Sequence, residues 1–430
     1  MRSLAREIRF FGRSPAALAG VIVLCLLSCV AVAFGMAEVA RERASITRVL
    51  QLQAGEEQAL IGHAEDAGTY AYSDFRVTWN APSGLAFAAL GQRDTAPSIL
   101  RVRPLALEAQ IYENEQTNPE LALPSRFDLA FVAIYLAPLV LIVLLHDLWS
   151  GEREAGRLGA LRALPRAASR IFLPRVLVRA GLVGAALALP FAVGAAFEGA
   201  SPDKAALFAS ALVGLVAFWT LLVVLVARFG GRSTVNAAAL AGLWFALTLV
   251  GPAAASLVVN AAVPTPEGAR LMRENRDAVH GAWDLPRQAT LDRFLALYPE
   301  WSDTEPMTAP FHWKWYFAAQ HLGDVAVAEM SAAYREGVER REALAGTAGW
   351  LMPPVGFQRI MHRAAETDVV AQLAYQQRVR DFHEKLRTFY YPYLFEDRDF
   401  GAADYASGPR FNVASPAAPE RGSGASDPRL

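Results

Sequence analysis

The chain has 430 residues, 53% of them hydrophobic and 19% charged, with a net charge of -1 and a mean hydropathy of +0.22. It is too apolar for an ordinary soluble protein and too polar to lie wholly in lipid, so a membrane protein with sizeable soluble parts is expected. No global basic excess exists to recruit nucleic acid, and none is expected as a partner.

The first 36 residues read as an entry into the membrane. Met1 to Arg13 carries Arg2, Arg6, Arg9 and Arg13 against the single acid Glu7, with Leu4, Ile8 and Phe11 on the other side. That is the pattern of an interfacial amphipathic helix. Pro15 to about Phe34 is apolar and uncharged, long enough to cross. It exceeds a signal-peptide core, and cleavage at the Ala31-Val-Ala33 run is the minor alternative. Cys25 and Cys29 lie i, i+4 in this run and read as small packing residues, not a disulfide.

Residues 37–128 form a polar insertion with eight Arg and thirteen Asp or Glu, net -5. Glu38 to Ala59 continues the first span as a helix. Phe75-Arg-Val-Thr-Trp79 reads as a strand and Asn80-Ala-Pro-Ser-Gly84 as a turn, giving a small α+β unit or a helical stalk with a loop-rich cap. Residues 129–263 hold four further spans: Leu129 to Leu145 with Pro138 inside, Val176 to Phe197 with Pro190, Ala205 to Ala227, and Val235 to Val263 interrupted by Gly251-Pro252. Proline is tolerated there because neighbours re-satisfy the freed carbonyl. Asn236 and Asn260 are the polar side chains of the last span, suited to hydrogen bonds between helices.

Between the second and third spans lies a polar, basic loop, 147–175. Its core is Asp147-Leu-Trp-Ser-Gly-Glu-Arg-Glu-Ala-Gly-Arg-Leu-Gly-Ala-Leu-Arg-Ala-Leu-Pro165, with Leu158 and Leu161 at helical spacing and Pro165 as a stop. Arg166, Arg170, Arg175 and Arg179 follow Arg162. A short amphipathic helix here suits docking on a soluble partner; a positively charged loop that only sets topology is the plain alternative.

Charge orients the spans. Met1 to Arg13 is net +3, Asp147 to Arg179 is +4 and Arg228 to Arg232 is +2, whereas residues 37–128 are -5 and Glu198 to Lys204 is -1. The positive-inside rule puts the N-terminus and both basic loops in the cytoplasm, and everything from Pro264 outside. Residues 264–408 are then an extracytoplasmic, mainly helical domain. Phe311-His-Trp-Lys-Trp-Tyr-Phe317 reads first as core, with a membrane-interface or partner-binding role as the alternative. Glu329 to Arg341 and Thr367 to Phe395 read as helices. Leu344 to Ile360, with Pro353-Pro354 and several glycines, reads as an interfacial or re-entrant segment and not a full span. Residues 409–430, rich in Pro, Ala, Ser and Gly, read as disordered.

Two resemblances add to this. Ser150-Gly151-Glu152-Arg153-Glu154-Ala155-Gly156-Arg157-Leu158 resembles the Ser-Gly-Glu-Arg-Glu-x-Gly-Thr-Leu signature of type-2 ABC transporter (ABC-2) permeases, with Arg157 where Thr is usual. In that family the stretch is the coupling helix that sits on the ATPase. The resemblance implies that Ser150, Gly151, Glu152, Arg153, Glu154, Gly156 and Leu158 couple to an ABC ATPase. Trp313-Lys-Trp-Tyr-Phe317, Ala364-Ala-Glu-Thr-Asp368, Val379-Arg-Asp-Phe-His383 and Leu386-Arg-Thr-Phe-Tyr-Tyr-Pro392 resemble the DUF3526 group of these permeases, which carries large extracytoplasmic insertions. The permease core has six spans and only five are legible. Either the last is lost, or Leu344 to Ile360 enters the membrane, or a final span lies outside this sequence.

Chemistry is sparse. No lysine follows a glycine, so the chain carries no P-loop, and ATP and Mg belong to the partner ATPase. There is no His-Glu-x-x-His helix and no Gly-x-Ser-x-Gly elbow. His280 and Asp284, with His312 and His321 nearby, read as surface residues before they read as metal ligands. The expected protein is a multi-pass permease subunit of the bacterial inner membrane, not itself an enzyme, paired with a second permease chain as a homodimer or with a related subunit. Two alternatives remain: a membrane-anchored extracytoplasmic binding or scaffold protein, and an enzyme whose groups would gather around His312, His321 and Asp324.

Overall fold

A computed structural model describes residues 2–111, 126–164, 168–229 and 231–412. The expected stop at Pro165, the basic Arg166 and most of the expected disordered tail (413–430) lie outside the described residues. Among the described residues five helices are long and apolar enough to cross a membrane and one small two-stranded sheet is present, so the protein is a multi-span helical membrane protein.

Helix α1 (Arg2–Phe11) is the amphipathic entry, and α2 (Pro15–His63) follows after a three-residue turn. At 1.5 Å per residue α2 is about 74 Å long. The hydrocarbon core takes only about 30 Å of it, so its polar half leaves the bundle as a stalk. The second span (α4, residues 129–145) touches all four others, which is why it is the most buried of the five. The third, fourth and fifth are α7 (Arg170–Phe197), α8 (Pro202–Phe229) and α9 (Ser233–Ala262). Cys25 and Cys29 are both free thiols.

Three spans contain a widened, π-helical turn: Val132–Leu136, Ala168–Phe172 and Ala246–Val250. Each lies directly before a proline, at Pro138, Pro174 and Pro252. A proline cannot donate to the carbonyl four residues back and clashes with it, and one wider turn relieves both problems. Neighbours supply replacement donors. Arg6 Nη2 donates to the Arg170 carbonyl at 2.8 Å, the one that Pro174 frees. Trp244 Nε1 donates to Tyr135 O, within the widened turn before Pro138, at 3.2 Å.

At the far end of the bundle, the apolar run Leu85-Ala-Phe-Ala-Ala-Leu90 turns back into the bundle core. Phe87 packs against Phe191, and its carbonyl sits so close to Gly35 that any Cβ there would lie 1.9 Å from it. Asp128 holds the plug by accepting from Leu90 N at 2.8 Å, while its other oxygen caps α4 through Phe131 N.

Strands β1 (Arg76–Trp79) and β2 (Ile99–Val102) pair antiparallel, with Arg76 opposite Val102. The expected strand at 75–79 is therefore present. It does not sit in a unit of its own. Tyr70, Val102, Leu105 and Ile111 share one core with Leu271, Phe294, Tyr375, Tyr391 and Tyr405. That core joins the first insertion to α10 (Gly268–Gly281), α11 (Arg287–Leu297), α12 (Trp313–Leu351) and α14 (Val369–Phe395). Ion pairs fasten it to the stalk: Arg76 bonds Asp74 and Glu57, and Arg93 bonds Glu42 at 2.6 Å. Tyr390 and Tyr405 hydroxyls donate to Asp74 at 3.0 and 2.9 Å. The aromatic run 311–317 is mostly core, with Trp315 and Phe317 buried and Phe311 exposed.

Residues 344–360 form the tip of a helical hairpin. Helix α12 descends to Leu351, the chain turns at Met352, and α13 (Pro353–Ala365) returns. Arg341 Nε donates to Val263 O at the end of α9. Eleven residues lower, about 16 Å further down, Met352 packs on Gly251 and Phe357 on Gly214, in the middle of α9 and α8. The hairpin thus reaches about half the depth of a bilayer core. Its turn is built for that setting. Pro353 and Pro354 have no N–H, and Val355 and Gly356 donate to Met352 O at 2.9 and 3.3 Å. No orphan donor is left in the first turn of α13. Trp350 and Leu351, 88% and 83% exposed, suit lipid and not water. The expectation that 344–360 is a re-entrant segment and not a full span fits this packing against the middle of α8 and α9.

Candidate functional site

The 147–164 loop lies at the end of the bundle that also carries α1 and the short turn before α9. The single helix expected here is two. Helix α5 (Ser150–Glu154) stops at Ala155, and α6 (Leu158–Ala163) begins two residues after Gly156. Gly156 has φ +73°, Gly156 N donates to Arg153 O at 2.9 Å, and Arg157 N reaches back to Glu152 O at 2.9 Å. This is the left-handed helix stop that glycine favours, and it explains the glycine of the signature. Leu158, just beyond, is buried in the bundle core.

Both acidic side chains of the signature bond neighbouring helices, Glu152 from a half-buried position and Glu154 from an exposed one. Glu152 accepts from Arg175 Nη1 and Arg157 Nε, both at 2.8 Å. Arg175 also faces the buried Glu7 of α1 at 3.6 Å, and Glu7 faces Arg6 at 3.7 Å. One chain of charges, Arg6–Glu7–Arg175–Glu152–Arg157, therefore links α1, α7 and α5. Trp149 stacks on Phe172 beside it, centroids 5.1 Å apart.

A second set of contacts reaches α9. Glu154 accepts from Ser233 N at 2.7 Å and from Ser233 Oγ at 3.1 Å. Its charge thereby sits on the N-terminus of α9, where the helix dipole favours an anion. Ser150, fully buried, accepts from Ser233 Oγ at 2.9 Å and lies 3.4 Å from Asn236 Nδ2. Asn236 also donates to His146 O at 3.3 Å, so it serves helix contact. Arg153 Nη1 donates to Gly231 O at 3.3 Å.

What remains outward is the other face. Arg153, Glu154, Ala155, Gly156, Arg157, Gly159, Ala160 and Arg162 are exposed, and all but Glu154 are basic or small. Of the seven residues singled out from the sequence, Ser150, Glu152 and Leu158 face the bundle, Glu154 bridges to α9, Gly156 shapes the turn, and Arg153 is outward; Gly151 is half-buried beside Asp147. Sequence reasoning missed Glu7, Arg175 and Ser233. The signal for Glu7 was present: it is the lone acid in a helix of arginines.

The second group of residues considered, His312, His321 and Asp324, does not gather around a cavity. His312 accepts from Lys314 N at 3.2 Å and caps α12. His321 is buried among Phe294, Tyr298 and Tyr391, and burial, with Arg387 and His383 nearby, pushes it down to about 2. Asp324 is raised to about 6, chiefly by burial, although Arg387 opposes this. It accepts from the backbone of Leu107 and Glu108 and from Asn275 and Arg387, and so pins β2's outgoing chain to three helices. His383, buried beside them, is pushed down to about 3 by burial and by Arg387.

Residues 269–414 match the family described as Domain of unknown function (DUF3526). That region runs from α10 past α14, including the hairpin and the polar core, and contains neither the spans nor the 147–164 loop. No curated protein and no solved structure matches the chain.

Proposed function

We propose that this chain is the membrane subunit of a transporter of the type-2 ABC permease class, working with a second permease chain and driven by a separate ATPase that binds ATP and Mg. One observation carries the proposal. The Ser150–Leu158 signature forms an elbow whose inward side chains grip α1, α7 and α9, while its opposite face is exposed and basic. An elbow that only set topology would have no need of such a grip. With the basic loops in the cytoplasm, that face meets a soluble ATPase. A push on it travels through Glu152 and Arg175 to α1 and α7, and through Glu154 and Ser233 to α9. Helices α8 and α9 carry the motion to the hairpin, and α2 carries it along the stalk to the polar body. This layout serves export of a substrate or mechanical work on extracytoplasmic partners.

The test is co-purification from detergent extracts followed by ATP turnover. Charge reversal at Glu152 or Glu154 would break the internal grip as well as any docking, so the substitutions belong on the outward face. Ala160→Trp and Arg162→Glu are expected to remove an ATP-hydrolysing protein that co-purifies with the native chain, with thermal unfolding unchanged. If the native chain brings down no ATPase, the proposal fails. A membrane-anchored scaffold then becomes the reading to pursue, favoured by the single rigid core of the polar body.

A further inference from the structure

A cleft of 370 Å³ opens on the polar body between β2's outgoing chain, α10 and the start of α12. Three arginines line it, Arg101, Arg103 and Arg276, together with Leu105, Met272 and Gln320. That volume is in the range of small-molecule sites, which pair an apolar lining with a few convergent polar groups.

The guanidinium groups are held ready. Arg101 and Arg103 both lie over the Phe75 ring, each 4.7 Å from its centroid, and Arg103 also lies over Tyr72 at 5.4 Å. Stacking fixes the plane of a guanidinium and leaves its N–H edge free for an oxyanion. Gln110 Nε2 donates to Arg101 O at 2.6 Å and Gln320 accepts from Ala106 N at 3.1 Å, so the backbone under the cleft is rigid.

The nearby acids are committed elsewhere. Glu108 faces away, bonded to Arg380 and Ser331, and Asp324 is consumed by Arg387, Asn275 and two backbone amides. Arg101 pairs with Glu56 of the stalk. Among the described residues Arg103 has the Tyr72 carbonyl, at 3.5 Å, besides its rings. Among the described residues nothing pairs with the Arg276 guanidinium, which is exposed. Three cations converge on one cleft, and among the described residues one acid, Glu56, pairs with them.

We propose that this cleft binds a small organic oxyanion, a phosphate or carboxylate with an apolar body, through Arg276 and Arg103. The site stands on the polar body alone and does not depend on the permease reading. The anion is either a free solute or the head group of an acidic lipid, and the experiment separates the two.

The full chain, purified in detergent micelles with and without phosphatidylglycerol, is titrated calorimetrically with inorganic phosphate and with succinate. Saturable binding is expected, weakened roughly tenfold or more by Arg276→Ala and further by adding Arg103→Ala, as loss of charge-assisted bonds requires. Thermal unfolding without ligand should be unchanged in Arg276→Ala, because that side chain has no partner to lose. Arg276→Glu should abolish binding. Soluble anions that bind lipid-free micelles identify a solute site. If they instead bind nowhere, while phosphatidylglycerol retained through purification falls in Arg276→Glu, the site takes a lipid head group. The proposal is overturned if neither anion binds and lipid retention is the same in native and variant chains, or if binding is indifferent to all three substitutions.

Discussion

The two ends of this molecule use charge in opposite ways. In the polar body the charges are buried: Asp74 and Arg76 are 0% and 2% exposed at the side chain, and two tyrosines complete the carboxylate's hydrogen bonds. At the elbow the chain of charges runs outward, from the buried Glu7 through Glu152, 12% exposed, to Arg157, 64% exposed at the surface. A buried pair cannot exchange partners without leaving a bare charge in a poor solvent, so it locks its elements together. A surface pair is screened by water and can break and re-form at little cost. The polar body is therefore built to move as one piece, and the elbow to change its grip.

The largest effect should come from breaking the buried pair. Arg76→Ala strands Asp74 and is expected to cost about 3–5 kcal/mol, read as a fall in the thermal midpoint of the detergent-solubilised chain. Gly35→Val should come next. A Cβ there meets the Phe87 carbonyl at 1.9 Å, so the plug must leave the bundle, at about 1–3 kcal/mol in the same assay.

Acid should discriminate between the two regions. His321 and His383 are pushed down to about 2 and about 3 from 6.5, so their contribution is present above pH 6.5 and is lost as the pH falls towards those values. Asp324 works the other way: raised from 3.8 to about 6, its contribution is present at low pH and lost as the pH rises through 6. Asp74, raised by burial in the same body, acts in the same direction as Asp324. The two histidines are expected to set the sign between pH 7 and pH 5, so the polar body should lose stability on acidification. In His383→Gln the thermal midpoint should depend less on pH than in the native chain; an equal dependence would remove His383 from this account.

Smaller effects belong to the elbow and the hairpin. Glu152→Gln should cost about 1 kcal/mol or less because its partners are half in water. A midpoint shift as large as that of Arg76→Ala would contradict the contrast between the two ends. Trp350→Cys, in a chain lacking Cys25 and Cys29, should leave the midpoint unchanged. In vesicles it should resist a membrane-impermeant maleimide that labels Asp303→Cys; equal labelling would lift the hairpin out of the bilayer.

Much was legible from residue order alone. Apolar runs of about twenty residues with polar flanks located the five spans, because lipid tolerates only helices that satisfy their own backbone. The lone period-two stretch at 75–79 located β1. The prolines of the spans were visible too, although not the widened turns that precede them. Other features depended on contacts far apart in the chain. The run Leu85 to Leu90 reads locally as part of a turn-rich loop, and becomes a plug only because Gly35 and Gly194 leave room for Phe87. Residues 344–360 are too short and too interrupted to cross, and only the small residues Gly214 and Gly251 on other helices let that hairpin descend.

The elbow divides in the same way. That 147–164 is a short, basic, helix-prone stretch between spans follows from the sequence, because helix propensity and net charge are local sums. Which of its side chains face inward is a tertiary fact. Glu152 turns toward the bundle because Arg175, 23 residues away, stands there to receive it, and the exposed Glu154 is held by Ser233, 79 residues away. No periodicity within the stretch encodes a partner that distant.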